Sequence, residues 1–267
     1  MNLMSSRVRS AAYLLPVLLM VSAGCDIAMA DFREQATEEW RKTYELPAGG
    51  RVEISNINGK IDVRTGQGNS VEVYAKKVGK AGSTDAARQA LGRVQIADST
   101  GAGVIKVETK VERGGGGLFN HSSTHVEYVV RVPANANVKL STVNGGVEVT
   151  GLTGTITAEA TNGGIVAHDI AGEIEATTIN GGVEVDLAAV PEGGVKLECT
   201  NGGVLLRLPA DAKATLSARV ANGGVEVSGL KLSSRESSSR RLDADLNGGG
   251  PRISMEGING GVKISAR

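Results

Sequence analysis

Aromatic side chains are scarce in this sequence, which has two phenylalanines, one tryptophan and four tyrosines among 267 residues. A hydrophobic core must therefore be built from aliphatic residues and threonine, whose β-branched side chains suit stacked strands. The formal net charge is zero and no lysine- or arginine-rich block occurs, so we expect no nucleic-acid partner. The 37 glycines do not recur at every third residue, which excludes collagen.

A long hydrophobic run is also missing. The longest one, from Ala11 to Val21, is about half the ~20 residues needed to cross a bilayer. It follows Arg7 and Arg9 and no acidic residue precedes it, which is typical of an export signal. The sequence therefore predicts a signal peptide over residues 1–24.

Two sites compete for cleavage of this signal. Ser22-Ala23-Gly24-Cys25 resembles a bacterial lipobox, which predicts a lipid-modified Cys25, a tether over residues 25–42 and an anchor in the cell envelope. Ala28-Met29-Ala30 fits ordinary secretory cleavage, which would release a soluble periplasmic or secreted protein. In neither case does Cys25 remain as a disulfide partner for Cys199.

A repeat dominates the second half of the chain. The tripeptide Asn-Gly-Gly begins at Asn144, Asn162, Asn180, Asn201, Asn222, Asn247 and Asn259. The first four spacings are 18, 18, 21 and 21 residues. Small or apolar residues alternate with polar ones on both sides of each tripeptide, and this period of two indicates strands.

The repeat predicts an all-β fold, a parallel β-solenoid or β-helix with repeats of ~18–21 residues, over residues 136–267. Residues 43–135 form a β-rich N-terminal part of the same domain, with one short helix over 83–91. We expect successive layers ~4.8 Å apart. We also expect a hydrogen-bonded ladder of corner asparagines, formed by Asn58, Asn144, Asn162, Asn180, Asn201, Asn222 and Asn259.

Two further expectations concern the end of the chain. Residues 230–241 are rich in serine and arginine and break the repeat, which predicts an exposed insertion. The chain ends on a strand-like segment, which predicts a free sheet edge protected by Lys263 and Arg267. Cys199 is in register with inward positions of the repeat, so we expect a buried structural thiol.

Catalytic and metal-binding motifs are not found in the sequence, so we expect no cofactor, no metal and no catalytic residue. The pair His121 and His125 has no evident third ligand. Glu148, Glu184 and Glu226 occupy equivalent outward positions of the repeat. In the simplest stacking, Glu148 and Glu184 lie two layers apart. This leaves a β-helix polysaccharide hydrolase or lyase as an alternative.

The pattern resembles the bacterial putative-adhesin family, a domain of unknown function related to head-GIN β-solenoids. The residues that carry the resemblance are Tyr44–Ile54 with Asn58-Gly59, the repeats such as Thr142–Val149, and Leu246–Pro251. The resemblance covers roughly residues 40–267 and implies no catalytic residues.

The residues and the resemblance together predict a non-enzymatic lipoprotein, a binding or structural module of the envelope. Its expected partners are the membrane, through the lipid, and a protein or glycan of the envelope, with self-association also open. An envelope-stress sensing or regulatory role, implied by some relatives, is a further alternative.

Overall fold

The computed structural model describes residues 34–112 and 122–267. The fold is all-β, with large, mostly parallel sheets and one helix in these residues. The predicted signal peptide, Cys25, Ala30 and His121 lie outside the described ranges. Among the described residues, the helix is too short and too polar to cross a membrane.

The N-terminal part contains seven strands and the helix α1. Their bounds are β1 Glu34–Glu45, β2 Arg51–Asn58, β3 Ile61–Thr65, β4 Ser70–Ala81, α1 Thr84–Gly92, β5 Val94–Gly101, β6 Val104–Val111 and β7 Ser122–Val132.

The repeat region contributes eight strands in four consecutive pairs. Their bounds are β8 Asn137–Asn144, β9 Val147–Thr150, β10 Ile156–Asn162, β11 Ile165–Ile170, β12 Ile174–Asn180, β13 Val183–Leu187, β14 Val195–Asn201 and β15 Val204–Leu208.

Six further strands complete the chain. Their bounds are β16 Ala214–Asn222, β17 Val225–Ser228, β18 Leu232–Ser237, β19 Arg241–Leu246, β20 Arg252–Asn259 and β21 Val262–Ala266.

Two sheets face each other across the core. The ten-stranded sheet has the order β1-β4-β7-β3-β9-β11-β13-β15-β21-β17, and the eleven-stranded sheet has the order β18-β19-β16-β20-β14-β12-β10-β8-β2-β6-β5. We call a layer one strand of each sheet joined by an Asn-Gly corner. In the described residues the layers are, in stacking order, β2–β3, β8–β9, β10–β11, β12–β13, β14–β15, β20–β21 and β16–β17.

Parallel pairing keeps equivalent residues of neighbouring layers side by side. Ala158 pairs with Leu140 on one side and Ala176 on the other, and the corner residues Asn144 and Asn162 pair in the same register. A slip of one residue would turn every inward side chain outward. The alternation of apolar and polar residues therefore fixes this register.

The core lies between the two sheets and is almost entirely aliphatic. Val147, Ile156 and Val183 are all buried, as the alternation in the repeat predicts. Tyr128 is the largest fully buried side chain, and its hydroxyl is 2.7 Å from the Oγ1 of Thr109. Burial raises the pKa of Tyr128 to about 12, so this pair stays neutral and hydrogen-bonded.

The helix α1 covers the inner face of one end of the ten-stranded sheet. It begins after Ser83, whose Oγ accepts a hydrogen bond from the backbone N–H of Ala86 at 3.3 Å. Such a cap satisfies one of the unpaired donors of the first turn. Leu91 lies against Gly79 of β4, where a Cβ would be only 3.0 Å from the Leu91 nitrogen. The helix can therefore pack closely on the strand.

Three expectations need correction. Residues 34–42 are not a tether but most of β1, which pairs with β4 along its whole length. The segment 230–241 is mostly exposed and interrupts the repeat, as predicted, but it is part of the fold, because β18 and β19 form an antiparallel pair at the end of the eleven-stranded sheet.

The third correction concerns the chain terminus. The last strand, β21, is not an edge but lies between β15 and β17, with parallel partners on both sides. Equivalent corners can stack in any order, so the terminal layer can enter the stack between two earlier ones. Lys263 and Arg267 therefore do not guard an edge.

Candidate asparagine ridge and its flanking grooves

The corner asparagines form one continuous line of side-chain hydrogen bonds, which we call the asparagine ridge. Along the stack its members are Asn58, Asn144, Asn162, Asn180, Asn201, Asn259 and Asn222. In each pair one amide Nδ2 donates to the Oδ1 of its neighbour, at 2.8 to 3.0 Å. The structure thus brings together all seven asparagines that the sequence predicts.

The first glycine of each tripeptide allows the layers to approach closely at the ridge. Gly181, for example, has φ +151°, and a Cβ there would collide with the carbonyl oxygen of Gly163 in the next layer. The second glycine differs, because a Cβ on Gly182 would meet the Gly203 oxygen at 3.4 Å. In the β2–β3 layer Lys60 occupies this second position, so a side chain fits there.

A column of exposed β-branched side chains runs beside the ridge on the eleven-stranded sheet. Val143, Ile179 and Ile258 are 44%, 47% and 50% exposed, and each directly precedes a ridge asparagine. Thr161 and Thr200 occupy the same position in the layers between them. Half-exposed aliphatic side chains at a repeated outward position, with threonines between them, form an apolar strip beside the ridge.

This column forms one wall of a shallow groove, which we call the strand groove. It consists of two depressions of about 340 and 540 Å³ that meet at Thr177. The opposite wall is polar, and the floor lies at small residues between the walls whose side chains, where present, are buried. The lining residues used below are Val143, Thr161, Ile179, Thr200 and Ile258 on the β-branched wall, Thr177, Glu159, Glu198, Glu256 and Arg219 on the polar wall, and Ala160, Cys199 and Gly257 on the floor.

A second groove, the glycine groove, lies on the other side of the ridge on the ten-stranded sheet. It has a volume of about 590 Å³ and its floor includes the second glycines, from Gly164 to Gly261. Val166 and Leu205 contribute apolar surface, and charged side chains alternate with them. The asparagine ridge therefore separates two parallel grooves of different chemistry.

The glutamates considered for catalysis lie along the glycine groove and its extension. Glu148 and Glu184 are two layers apart with Val166 between them, as the repeat predicts. Glu148 forms an ion pair with Lys60, and Glu184 forms one with Arg207 at 2.5 Å. Each carboxylate is thus held by its own cation, which suits surface stabilisation rather than a shared acid–base task.

Glu226 lies further from these two along the stack. Its direct neighbour in register is Lys263, and Leu205 comes next, because the β20–β21 layer separates β15 from β17. The three glutamates are therefore not consecutive members of one column.

The remaining candidate residues are placed in ordinary structural settings. Cys199 is buried, its Sγ donates to the Gly181 oxygen at 3.0 Å, and burial raises the pKa of its thiol. His125 lies on β7 with its Nε2 3.9 Å from Glu127, and burial lowers its pKa. In the two described ranges no three potential metal ligands cluster.

The strand groove was not predicted from the sequence. A signal was present, because the residue before the corner asparagine is aliphatic at Val143, Ile179 and Ile258. The alternation of the repeat places the residue before each corner asparagine on the outward face, where an aliphatic side chain is unexpected. Comparing this position in all the repeats would have predicted the exposed column.

Comparison with known proteins gives structural likeness only. No protein-family model matches the chain, and no curated protein matches it. A solved structure described as a "putative cell adhesion protein" from Clostridium sporogenes is similar, with 13% identity and a TM-score of 0.43 over 87% of this chain and 100% of that one.

Two more solved structures are similar to the chain. A "putative adhesin" from Bacteroides fragilis has 9% identity and a TM-score of 0.31, over 88% of this chain and 99% of that one. A "putative lipid binding protein" from Parabacteroides distasonis has 11% identity and a TM-score of 0.25, over 88% and 98% of the two chains. The structural neighbours thus include proteins described as adhesins, at a similarity too low to transfer a function.

Proposed function

We propose that this chain is a non-enzymatic binding and structural module of the bacterial cell envelope, built as a lipid-anchored β-solenoid. The observation that carries the proposal is the unbroken asparagine ridge with a groove on each side. A rigid surface that repeats at each layer is what extended binding platforms of repeat proteins offer.

The solenoid part of the proposal is supported by the pairing of the strands. Consecutive strands alternate between the two sheets, and each pairs in parallel with its equivalent in the next layer. A single layer cannot bury its inner face, so the layers stabilise one another. Corner hydrogen bonds and aliphatic stacking then act along the same axis.

The anchoring part is supported by the sequence. An apolar run of signal-peptide length ends directly before Cys25, in the context Ser22-Ala23-Gly24. Diacylation at Cys25 would place β1, whose first residue Glu34 is nine positions further along the chain, close to the membrane surface. Cleavage after Ala30 instead would give a soluble exported protein with the same binding surface.

The anchor is tested by expressing the full chain, Cys25→Ser and, as the matched control, Cys199→Ser in a bacterial host. We expect the full chain and Cys199→Ser to fractionate with membranes and to carry the mass of a diacylglyceryl group. Cys25→Ser should lose both properties. A wild-type mature chain that begins at Asp31 without lipid would contradict the anchor.

The binding role is tested separately with the purified chain from residue 31 onwards. We expect saturable co-sedimentation with isolated bacterial envelopes and no change in the mass of envelope polymers after long incubation. Absence of saturable binding would contradict the binding role. Release of soluble sugar fragments would instead favour the hydrolase or lyase alternative.

A further inference from the structure

We propose that the strand groove binds an uncharged, extended β-1,4-linked glycan chain that lies parallel to the stacking axis. This inference rests on the proposed binding function and names the ligand class of one of its two grooves. The length, period, chemistry and charge of the groove each favour such a ligand.

The groove is long and narrow. Seven layers at ~4.8 Å place its two ends about 29 Å apart, while its walls are two residues apart along a strand, or roughly 7 Å. The strip between the walls is therefore on the order of 200 Å². A specific protein–protein interface buries about 800 Å² on each partner. A thin linear polymer fits the groove better than the surface of a folded protein.

The period of the groove also discriminates between polymers. An extended peptide advances ~3.3 Å per residue and alternates its side chains, so it repeats at roughly 7 Å and falls out of step with layers ~4.8 Å apart. In an extended β-1,4-linked chain each ring advances by a length similar to one layer and is turned over relative to the ring before it, so the chain repeats at about two layers. Rings of one orientation can thus meet Val143, Ile179 and Ile258, and rings of the other orientation can meet Thr161 and Thr200.

The groups along the groove suit a sugar. The hydroxyls of Thr161 and Thr200 on the β-branched wall and of Thr177 on the polar wall can each donate one hydrogen bond to a sugar hydroxyl and accept others. The exposed aliphatic side chains between them can cover the C–H face of a ring.

The charges of the polar wall favour a neutral ligand. Glu159, Glu198 and Glu256 lie along it with Arg219, and Lys196 forms an ion pair with Glu198 at 3.0 Å. The wall thus carries carboxylates and the cations that partly neutralise them, with no excess positive charge to bind uronic acids or phosphates. Hydroxyl groups, in contrast, can donate hydrogen bonds to the carboxylates.

The experiment titrates the purified chain from residue 31 onwards with four probes, followed by calorimetry and by amide chemical shifts. Two probes are neutral extended hexasaccharides, β-1,4-linked glucose and β-1,4-linked N-acetylglucosamine. The third is the α-1,4-linked glucose hexasaccharide, which is coiled, and the fourth is an anionic hexagalacturonate. We expect binding of at least one extended neutral probe, at least about tenfold tighter than either control probe.

Matched variants locate the site. Ile179→Lys and Thr200→Lys place a bulky cation on the β-branched wall at exposed or half-exposed positions, so the fold is retained. We expect each to weaken binding about tenfold or more. Val111→Lys changes a residue of the same kind that is 39% exposed but does not line the groove, and it should stay within about twofold of the wild type.

Several outcomes overturn the proposal. Failure of both extended neutral probes to bind at millimolar concentration does so, as does equal weakening by Val111→Lys and Ile179→Lys. Binding of a protein or peptide from the envelope that Ile179→Lys abolishes would assign the groove to another ligand. If envelope co-sedimentation persists while both glycans fail, the binding function stands and only the glycan assignment falls.

Discussion

The centre of the stack and its two ends are built from the same layer but arranged differently. From β8–β9 to β14–β15, the order of layers follows the order of the chain. At the N-terminal end, β6 and β7 lie beyond the earlier β2–β3 layer. At the C-terminal end, β20–β21 lies between β14–β15 and the earlier β16–β17 layer.

This difference separates two kinds of information. The Asn-Gly corner and the alternating pattern specify how any two layers pair, and they do so equally well in the centre and at the ends. The order of layers is specified by the connections, which are short in the centre and contain β4–α1–β5 or β18–β19 at the ends. The following predictions test which parts of the ends depend on this order.

The largest effect is expected from truncation after Asn247, which removes β20 and β21. Four buried side chains are lost, Ile253, Met255, Val262 and Ile264, and with them the contacts between the flanking layers. We expect a destabilisation on the order of 10 kcal/mol for the C-terminal end and loss of hydrogen-exchange protection in β16–β19, while β8–β13 stay protected.

The contrary outcome of this truncation is informative. Asn201 and Asn222 are 21 residues apart, the same spacing as Asn180 and Asn201. Retained protection in β16 would mean that β16 can pair directly with β14. The order of layers would then follow the order of the chain at this end as it does in the centre.

A second test compares the two glycines of one central corner. Gly181→Ala forces a Cβ into the Gly163 oxygen at a backbone angle that favours glycine, so we expect a loss of about 3 kcal/mol or more in unfolding free energy. Gly182→Ala meets only ordinary contact distance and should change stability by less than about 1 kcal/mol. Denaturant unfolding measures both, and equal losses would mean that the second glycine is also required for packing.

A third test compares a central ridge residue with a terminal one. Asn180→Ala removes two ridge hydrogen bonds, and we expect a cost of about 1–2 kcal/mol. Asn222→Ala removes one and should cost about half as much. The two variants are compared by thermal unfolding, and a larger cost at Asn222 would show that the ridge matters most where the last layers join.

The smallest effect concerns acid. Hydrogen bonds from Lys42, Ser217 and Arg235 are the main causes that lower the pKa values of Asp98, Asp243 and Asp245, respectively. All three carboxyls belong to end strands, β5 and β19. A lowered folded-state pKa gives stability that is present above the unfolded value of ~3.9 and is lost as pH falls through the folded value.

We therefore expect the ends to lose hydrogen-exchange protection below about pH 4 before the centre does, by a modest margin because these carboxylates and their partners remain partly solvated. Asp243→Asn should remove part of this pH dependence at the C-terminal end only. Simultaneous loss of protection in β10–β13 would contradict the assignment to the ends.

Much of the fold follows from the sequence because the repeat is explicit. The alternation around Asn144, Asn162 and Asn180 identifies the strands and their inward residues, and equal spacings imply parallel neighbours. The position of Asn259 between Asn201 and Asn222 could not be predicted, since all corners are chemically equivalent. Residues 34–42 were misassigned because a charged edge strand such as β1 has the composition of a tether.

Only part of the candidate site could be predicted from the sequence. The Asn-Gly motif identifies the ridge asparagines, whereas the strand groove depends on which outward residues become neighbours when the layers stack. Glu148 and Glu184 illustrate the reverse case. Their separation follows from the repeat, but their ion pairs with Lys60 and Arg207 require the coordinates.

The late position of β20–β21 has a consequence for biosynthesis. Polypeptides emerge amino end first, so β16–β17 is made before the layer that must lie beneath it. The β20–β21 layer can take its place between β14–β15 and β16–β17 only after the last residues have been synthesised. The backbone N–H of Arg267 then donates to the Leu208 carbonyl, and its side chain pairs with Asp169. A chain that ends even twenty residues early would thus lack the β20–β21 layer, and its C-terminal end would be exposed to quality-control proteases.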